Sequence, residues 1–332
     1  MKKYFVYLFT ILLAVVPLTL VMGDTPWDIV WKGAMDRLFG NSQQWNPLLD
    51  ERLPRLIVIL CSGASLGVSG AVMQSLFHNP LASPSVLGVS CGGSLFVVVT
   101  IIFGWHLHYP YSIPIAAFSG CLLTLLLIYM LTRYSGEVNL YNLILTGVAL
   151  STLLVAVQGA IMYALRDRWQ LIQTITEWVS GSTVDRSWKH VHMQLPLTLV
   201  GLFGCWNYRH EINILALGEE EANSLGVDVL KVRWRLFLCV SLLTAGTIAA
   251  VGFISFFGLV LPHILRKICG PDNRKLIPLC MLSGGIALAV MDFTLRFFEL
   301  NSFSLGNISA IIGGIFFLIL LPQVQRKAVQ SC

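Results

Sequence analysis

The chain is a succession of long uncharged stretches, each close to the length that crosses a bilayer as a helix. About 20 mostly apolar residues suffice for one crossing. Ten stretches qualify: Tyr4–Met22, Pro54–Phe77, Ser85–Phe103, Ile113–Thr132, Leu143–Leu165, Met193–Trp206, Leu236–Ile254, Gly258–Ile268, Leu276–Leu295 and Ile308–Leu321. Backbone N–H and C=O groups in lipid must find partners within the chain, and a helix supplies them locally. The expected fold is therefore an all-α polytopic membrane protein of about ten transmembrane helices, one domain over residues 1–332. Composition agrees, with 56% hydrophobic and 12% charged residues, where soluble domains carry about 25% charged. Two stretches, Met193–Trp206 and Gly258–Ile268, are short, and Phe253–Leu261 also suits a re-entrant segment.

Charge suggests how these spans lie. Lys2 and Lys3 precede the first, and Gly23-Asp24-Thr25 follows it without a small-x-small cleavage pattern, so Tyr4–Met22 reads as a retained span. An even number of spans then puts both termini in the cytoplasm, with 13 basic residues inside and nine outside, the expected sign of bias. The net charge of +5 is too small to suggest a nucleic-acid partner. Eight cysteines, without a C-x-x-C pair, read as small buried hydrophobes rather than a disulfide framework or metal site. His106 and His108, in an outer loop, read as solvated rather than metal-binding. No phosphate-cradling G-x-x-x-x-G-K-[ST] loop, H-E-x-x-H or G-x-S-x-G pattern occurs. The expectation is a conduit rather than an enzyme.

Several groups of residues could carry function. Gly63, Gly67, Gly70 and Gln74 share one helical face. Such a face admits close helix packing, and with Gln74 it points into the bundle, toward a neighbouring helix or a substrate. Asn79-Pro80 and Pro84 end that helix, so that residues 63–93 read as helix, break, helix, and Gly88, Gly92 and Gly93 allow another close contact. Asp292 is the one acidic residue well inside a span. Intramembrane carboxylates are functional candidates, here a proton or ion site unless Arg296, one turn on, merely pairs with it. Arg52, Arg55 and Arg296 fall at the outer side, where they could snorkel to water or dock an acidic soluble partner. Residues 209–235 form an inner loop in which Glu219–Glu221 suit a helix N-terminus and Gly226 its C-cap, a connector or a handle for a cytoplasmic partner.

Taken in order, these motifs resemble the FecCD-type permeases, membrane subunits of ATP-driven importers for ferric siderophores, haem and cobalamin. The matching text includes Arg52-Leu53-Pro54-Arg55, Gly63 through Gln74, Asn79-Pro80-Leu81-Ala82-Ser83-Pro84, Ala216-Leu217-Gly218 with Ala222 and Leu225-Gly226-Val227, Gly270-Pro271-Asp272, and Asp292 with Arg296. The resemblance implies the type II importer permease architecture, two permease subunits around a central pathway in the bacterial inner membrane. It implies two cytoplasmic ATPase subunits that hold the ATP and magnesium, a periplasmic substrate-binding protein, and no cofactor or metal on this chain. It also implies that Arg52, Arg55 and Arg296 meet acidic residues of the binding protein. Gly218, Glu219, Ala222, Leu225 and Gly226 would rest on the ATPase, and Asn139–Tyr141 would lie near the exit gate. The implied cargo is an iron(III)–siderophore complex, with cobalamin or haem as the alternative. A secondary transporter coupled through Asp292 is a further reading. The chain departs from the family pattern at His78, where relatives carry Arg, and lacks the prolines that relatives place near Ser304 and Ile315.

Overall fold

The computed structural model describes residues 2–22, 25–39, 44–134, 140–300 and 303–330. Among them every regular element is a helix. In order these are α1 (Lys2–Val21), α2 (Trp27–Phe39), a π-helical turn (Leu48–Arg52), α3 (Leu53–Leu76), α4 (Val89–Ile102), α5 (Trp105–His108), α6 (Ser112–Tyr134) and α7 (Leu140–Ala164). There follow α8 (Trp169–Ser180), α9 (Trp188–Asn207), α10 (Arg209–Leu215), α11 (Glu219–Ser224), α12 (Val229–Ala250), α13 (Phe257–Cys269), α14 (Asn273–Phe297) and α15 (Leu305–Gln330).

Each of the ten expected spans coincides with a helix, and among the described residues six are by themselves long and apolar enough to cross a membrane. The boundaries shift where local chemistry intervenes. The third span starts at Val89 rather than Ser85, because Pro80 and Pro84 hold the chain in turns up to the left-handed Gly88. The sixth starts five residues early, at Trp188, where Ser187 and His190 form a reciprocal cap. The seventh stops at Ala250 rather than Ile254, since Gly252 and Phe256 both have positive φ and residues 252–255 are unwound. Helix α13 then has 13 residues, about 20 Å at 1.5 Å per residue and too short for a roughly 30 Å core. This unwound stretch and half-length helix together fit the re-entrant alternative. Two helices, α2 and α8, escaped the span search because they are 13 and 12 residues long.

Helix α3 is the hub, packing on α14, α12, α13 and α9. The Gly63 face makes this possible. A Cβ on Gly63 would strike the carbonyl of Gly284 in α14, one on Gly67 the carbonyl of Cys280, and one on Gly70 the carbonyl of Gly258 in α13. Gln74, next on that face, donates to the Leu259 carbonyl at 3.1 Å. Of the two readings of this face, the structure shows helix packing. A second close contact joins α4 and α6, with Gly92 against Gly120. Ser304, where relatives carry proline, starts α15 by accepting from Asn307 N at 3.2 Å.

The seam is testable by adding one methyl group. Gly70→Ala forces two backbones apart and should cost about 1–3 kcal/mol, seen as a lower melting temperature in detergent. Gly159→Ala, where a Cβ meets no atom within 4 Å, should leave it unchanged or slightly raised.

Candidate functional site

Polar and charged side chains concentrate at the two ends of the α3–α14 pair. At one end Asp292, 1% exposed, sits under two arginines. Its Oδ1 accepts from Arg55 Nη2 at 2.7 Å and from the Thr183 hydroxyl at 2.5 Å. Its Oδ2 lies 3.0 Å from Arg296 Nε, and Arg55 Nη2 also reaches Thr183 Oγ1 at 3.0 Å. A buried carboxylate persists only when paired and hydrogen-bonded; here Arg55 and Thr183 hydrogen-bond Oδ1, while Oδ2 is met by the charge of Arg296 without a hydrogen bond. Arg52 is 6% exposed and donates to the carbonyls of Leu20 and Val21 at 3.0 Å each, tying down the end of α1. Docking through Arg52 requires a guanidinium at the surface, whereas here it is buried. Arg55 and Arg296 keep 15% and 18% of their side chains exposed.

Thr183 leads from this cluster into a knot of three strands of backbone. Gly181 ends α8 with φ +72°, and Gly252 (φ +95°) and Gly306 press against it so closely that a Cβ on any of the three would strike a carbonyl oxygen. Ser182 N donates to Val251 O at 2.9 Å, Gly306 N to Gly181 O at 3.2 Å, and Ser304 Oγ to Ser180 O at 2.6 Å. Phe253, in the same knot, faces a groove of about 410 Å³ between α7, the start of α4 and the unwound 252–256 stretch. The groove is lined by Ser85, Ser151, Thr152 and Ser255 together with Val86, Cys91, Val155, Phe253 and Phe256, with no charged residue. Helix α7 is bare over most of its length.

At the opposite end, α10 and α11 stand on the bundle. Gly218 (φ +129°) precedes α11 and Gly226 (φ +80°) follows it, as the cap reading expects. Within the 209–235 loop, residues 229–235 are already the first turns of α12, capped by Asp228 accepting from Lys231 N. Ala222 is buried, while Leu217 and Leu225 are exposed beside Glu219–Glu221. Glu219 pairs with Arg233 at 2.6 Å. Asn213 of α10 donates to Asp272 Oδ1 at 2.7 Å and accepts from Asn273 N at 2.7 Å. Asn273 Oδ1 accepts from Ser75, which with Gln74 accepts from Arg266 of α13. His78 has φ +49° and sits 2.7 Å from the Leu215 carbonyl. Hydrogen bonds from Arg274 and Asn213 hold the Asp272 carboxyl well below the ordinary carboxylate range against the opposing effect of burial. Asn79 is buried with its Oδ1 on Leu81 N at 2.8 Å, making the turn, and Pro80 is exposed beside it. Asn139 lies outside the described residues.

With both ends described, the family follows. The FecCD transport family matches residues 10–323, and the chain belongs to it. It is 36% identical to the cobalamin import system permease protein BtuC of Halobacterium salinarum, over 84% of this chain and 74% of that one. It is 34% identical to the Fe(3+) dicitrate transport system permease protein FecD of Escherichia coli, covering 93% and 94%. To the hemin transport system permease protein HmuU of Yersinia pestis it is 35% identical, over 87% of each. A solved structure of a metal-chelate type ABC transporter in an inward-facing conformation superposes with a TM-score of 0.80 at 27% identity, covering 96% of this chain and 98% of that one. The fold is thus that of a membrane-spanning ABC transporter permease.

Thr183, Asn213, Arg233 and Arg266 were not picked out in the sequence. Arg266, within the Gly258–Ile268 stretch, was the one visible anomaly, an arginine where lipid would be costly. The others are ordinary polar residues that gain meaning from partners 14 to 128 positions away.

Both ends give predictions. Asp292→Leu leaves two arginines facing each other in a partly buried site and should cost about 3 kcal/mol, the low end for a broken buried pair because both arginines retain some solvent. Thermal unfolding in detergent measures it. Asp272 binds its proton less readily folded than unfolded, so its contribution is complete above the ordinary carboxylate range and is lost as pH falls through its lowered folded value. Protection of the Asn273 amide against exchange should therefore stay constant from about pH 8 to pH 5.

Proposed function

We propose that this chain is the permease subunit of an ATP-driven importer whose cargo is an iron(III)–siderophore complex. The observation that carries the reading is the uncharged groove, lined by serine, threonine, aliphatic and aromatic residues, beside the bare helix α7. A chelate satisfies its metal's charge with its own ligands, so its pathway needs walls that slide past a bulky solute, and a fixed charge would hold it. A ferric dicitrate permease is among the relatives, at 34% identity over 93% of this chain. Cobalamin and haem, the cargoes named for other relatives, are metal chelates as well and form the second reading. Ion coupling through Asp292 is disfavoured by its two arginines and by its absence from the groove.

In this reading two permease chains, identical or distinct, face each other across their α7 sides in the bacterial inner membrane, with both termini in the cytoplasm. Two ATPase subunits, carrying ATP and magnesium, receive the α10–α11 end, where Leu217 and Leu225 stand out among acidic side chains. A periplasmic binding protein approaches the other end. There two partly exposed arginines, Arg55 and Arg296, share one aspartate, and the surplus positive charge suits an acidic surface.

Uptake of labelled ferric siderophores, haem and cobalamin by a strain lacking this chain tests the cargo. Ferric siderophore uptake should fall at least about tenfold; loss confined to cobalamin or haem would transfer the assignment. Substrate movement by the purified chain in proteoliposomes without an ATPase would overturn the importer itself. Arg55→Glu should weaken binding-protein capture, more at low salt than at high, as expected when screening is the variable. Deleting 218–226 should leave ATP hydrolysis running while uptake stops.

A further inference from the structure

The arginines that suit an acidic partner are not idle in this structure: both hold Asp292, and Arg55 also holds Thr183. Thr183 is 3% exposed and its hydroxyl is bonded on both sides, donating to Asp292 Oδ1 at 2.5 Å and accepting from Arg55 Nη2 at 3.0 Å. One residue before it, Ser182 N donates to Val251 O, and one residue earlier Gly181 O accepts from Gly306 N. These two bonds fasten the end of α8 to the unwound stretch after α12 and to the start of α15. Phe253, two residues past Val251, has its backbone against Gly181 and its side chain in the groove wall.

We infer that Thr183 is a positioning residue through which an acidic partner engaging Arg55 loosens the 180–183, 251–253 and 304–306 knot and so frees the groove wall at Phe253. This rests on the docking reading above. Its physical basis is competition for donors. A guanidinium has five N–H groups in a fixed fork, and in Arg55 the single Nη2 serves both Asp292 and Thr183. A carboxylate arriving from outside and drawing that fork toward itself takes both bonds together. Thr183 then keeps only its own hydroxyl bond to Asp292, and Arg296 remains to neutralise the carboxylate. The knot is suited to such a release. It is held by two backbone hydrogen bonds and one from the Ser304 hydroxyl, with glycines at the contacts, two of them, Gly181 and Gly252, left-handed.

Hydrogen exchange on the full chain in lipid nanodiscs tests this without a partner, an ATPase or a substrate, so its outcome is independent of the importer assignment. Thr183→Val removes both hydroxyl bonds at nearly constant shape and should speed exchange of the Ser182 and Gly306 amides about tenfold, the scale of a hydrogen bond to a charged group. Thr183→Ser restores the hydroxyl and should exchange as the native chain does. Arg55→Gln, which mimics a guanidinium drawn away, should speed the same two amides by a smaller factor. Unchanged exchange in Thr183→Val or in Arg55→Gln overturns the inference, as does equal acceleration in Thr183→Val and Thr183→Ser. Acceleration that spreads equally into residues 63–75 of α3 also overturns it, because the bundle as a whole would then have loosened.

Discussion

The close approach of α3 to α14 and α13 is the constraint on which both polar ends depend. Helices in lipid gain no hydrophobic drive from meeting each other, so contact must come from packing and from interhelical hydrogen bonds. Gly63, Gly67 and Gly70 let the backbones touch, and the two antiparallel helices are then locked in register. That register sets Arg55 against Asp292 at one end and Ser75 against Asn273 at the other. A bulkier residue in the seam would push the helices apart and stretch both networks at once. The polar ends need the seam for their geometry, and the seam leaves no polar group of its own to satisfy.

The two ends use buried charge differently. Asp292 meets two cations, Arg55 and Arg296, which keep 15% and 18% of their side chains exposed. At the other end Arg266, from the short helix α13, spends its guanidinium on Gln74, Ser75 and the Ala71 carbonyl of α3. Those acceptors are neutral, so the bonds fix α13 to α3 without cancelling the charge. Asn213 joins the same chain of bonds from the α10 side, using both its amide nitrogen and oxygen. A single asparagine therefore fastens the protruding α10–α11 pair to the N-terminus of α14.

How much of this was legible in the sequence follows from the physics of each feature. The spans were visible because lipid imposes a length and a composition, and each of the ten coincided with a helix. The amphipathic α2 and α8 were not, since a 12- or 13-residue helix lying along a bundle obeys neither rule. The Gly63–Gln74 face announced packing through its spacing, and the Gly218–Gly226 pair announced a short capped helix. Asp292 and Arg296 could be paired by sequence, being one turn apart. That Arg55 shares the same carboxylate could not, because 237 residues separate them. Arg52 was read with Arg55 as one motif, yet Arg52 closes the π-helical turn before α3 while Arg55 lies in α3 itself. One arginine therefore meets Asp292 while the other meets the end of α1. The knot at Gly181, Gly252 and Gly306 was invisible for the same reason, being made of three glycines from distant loops.

Distance finally limits how the two ends can communicate. Helix α3 has 24 residues, about 36 Å of rise, and no chain of polar contacts runs its length among the described residues. Between Arg55 and Gln74 lie glycines, small residues and apolar packing against α14. An event at one end can reach the other only if the α3–α14 pair moves as a rigid body, or if a softer element carries it. The glycine seam makes the pair stiff. The elements without helical hydrogen bonds are elsewhere: the unwound 252–255 stretch and the loop segments that meet at Gly181. All of these border the groove or the helices beside it. Stiffness in the centre and softness along the groove describe a frame around a movable wall. Helix α7, bare over most of its length, borders the same groove.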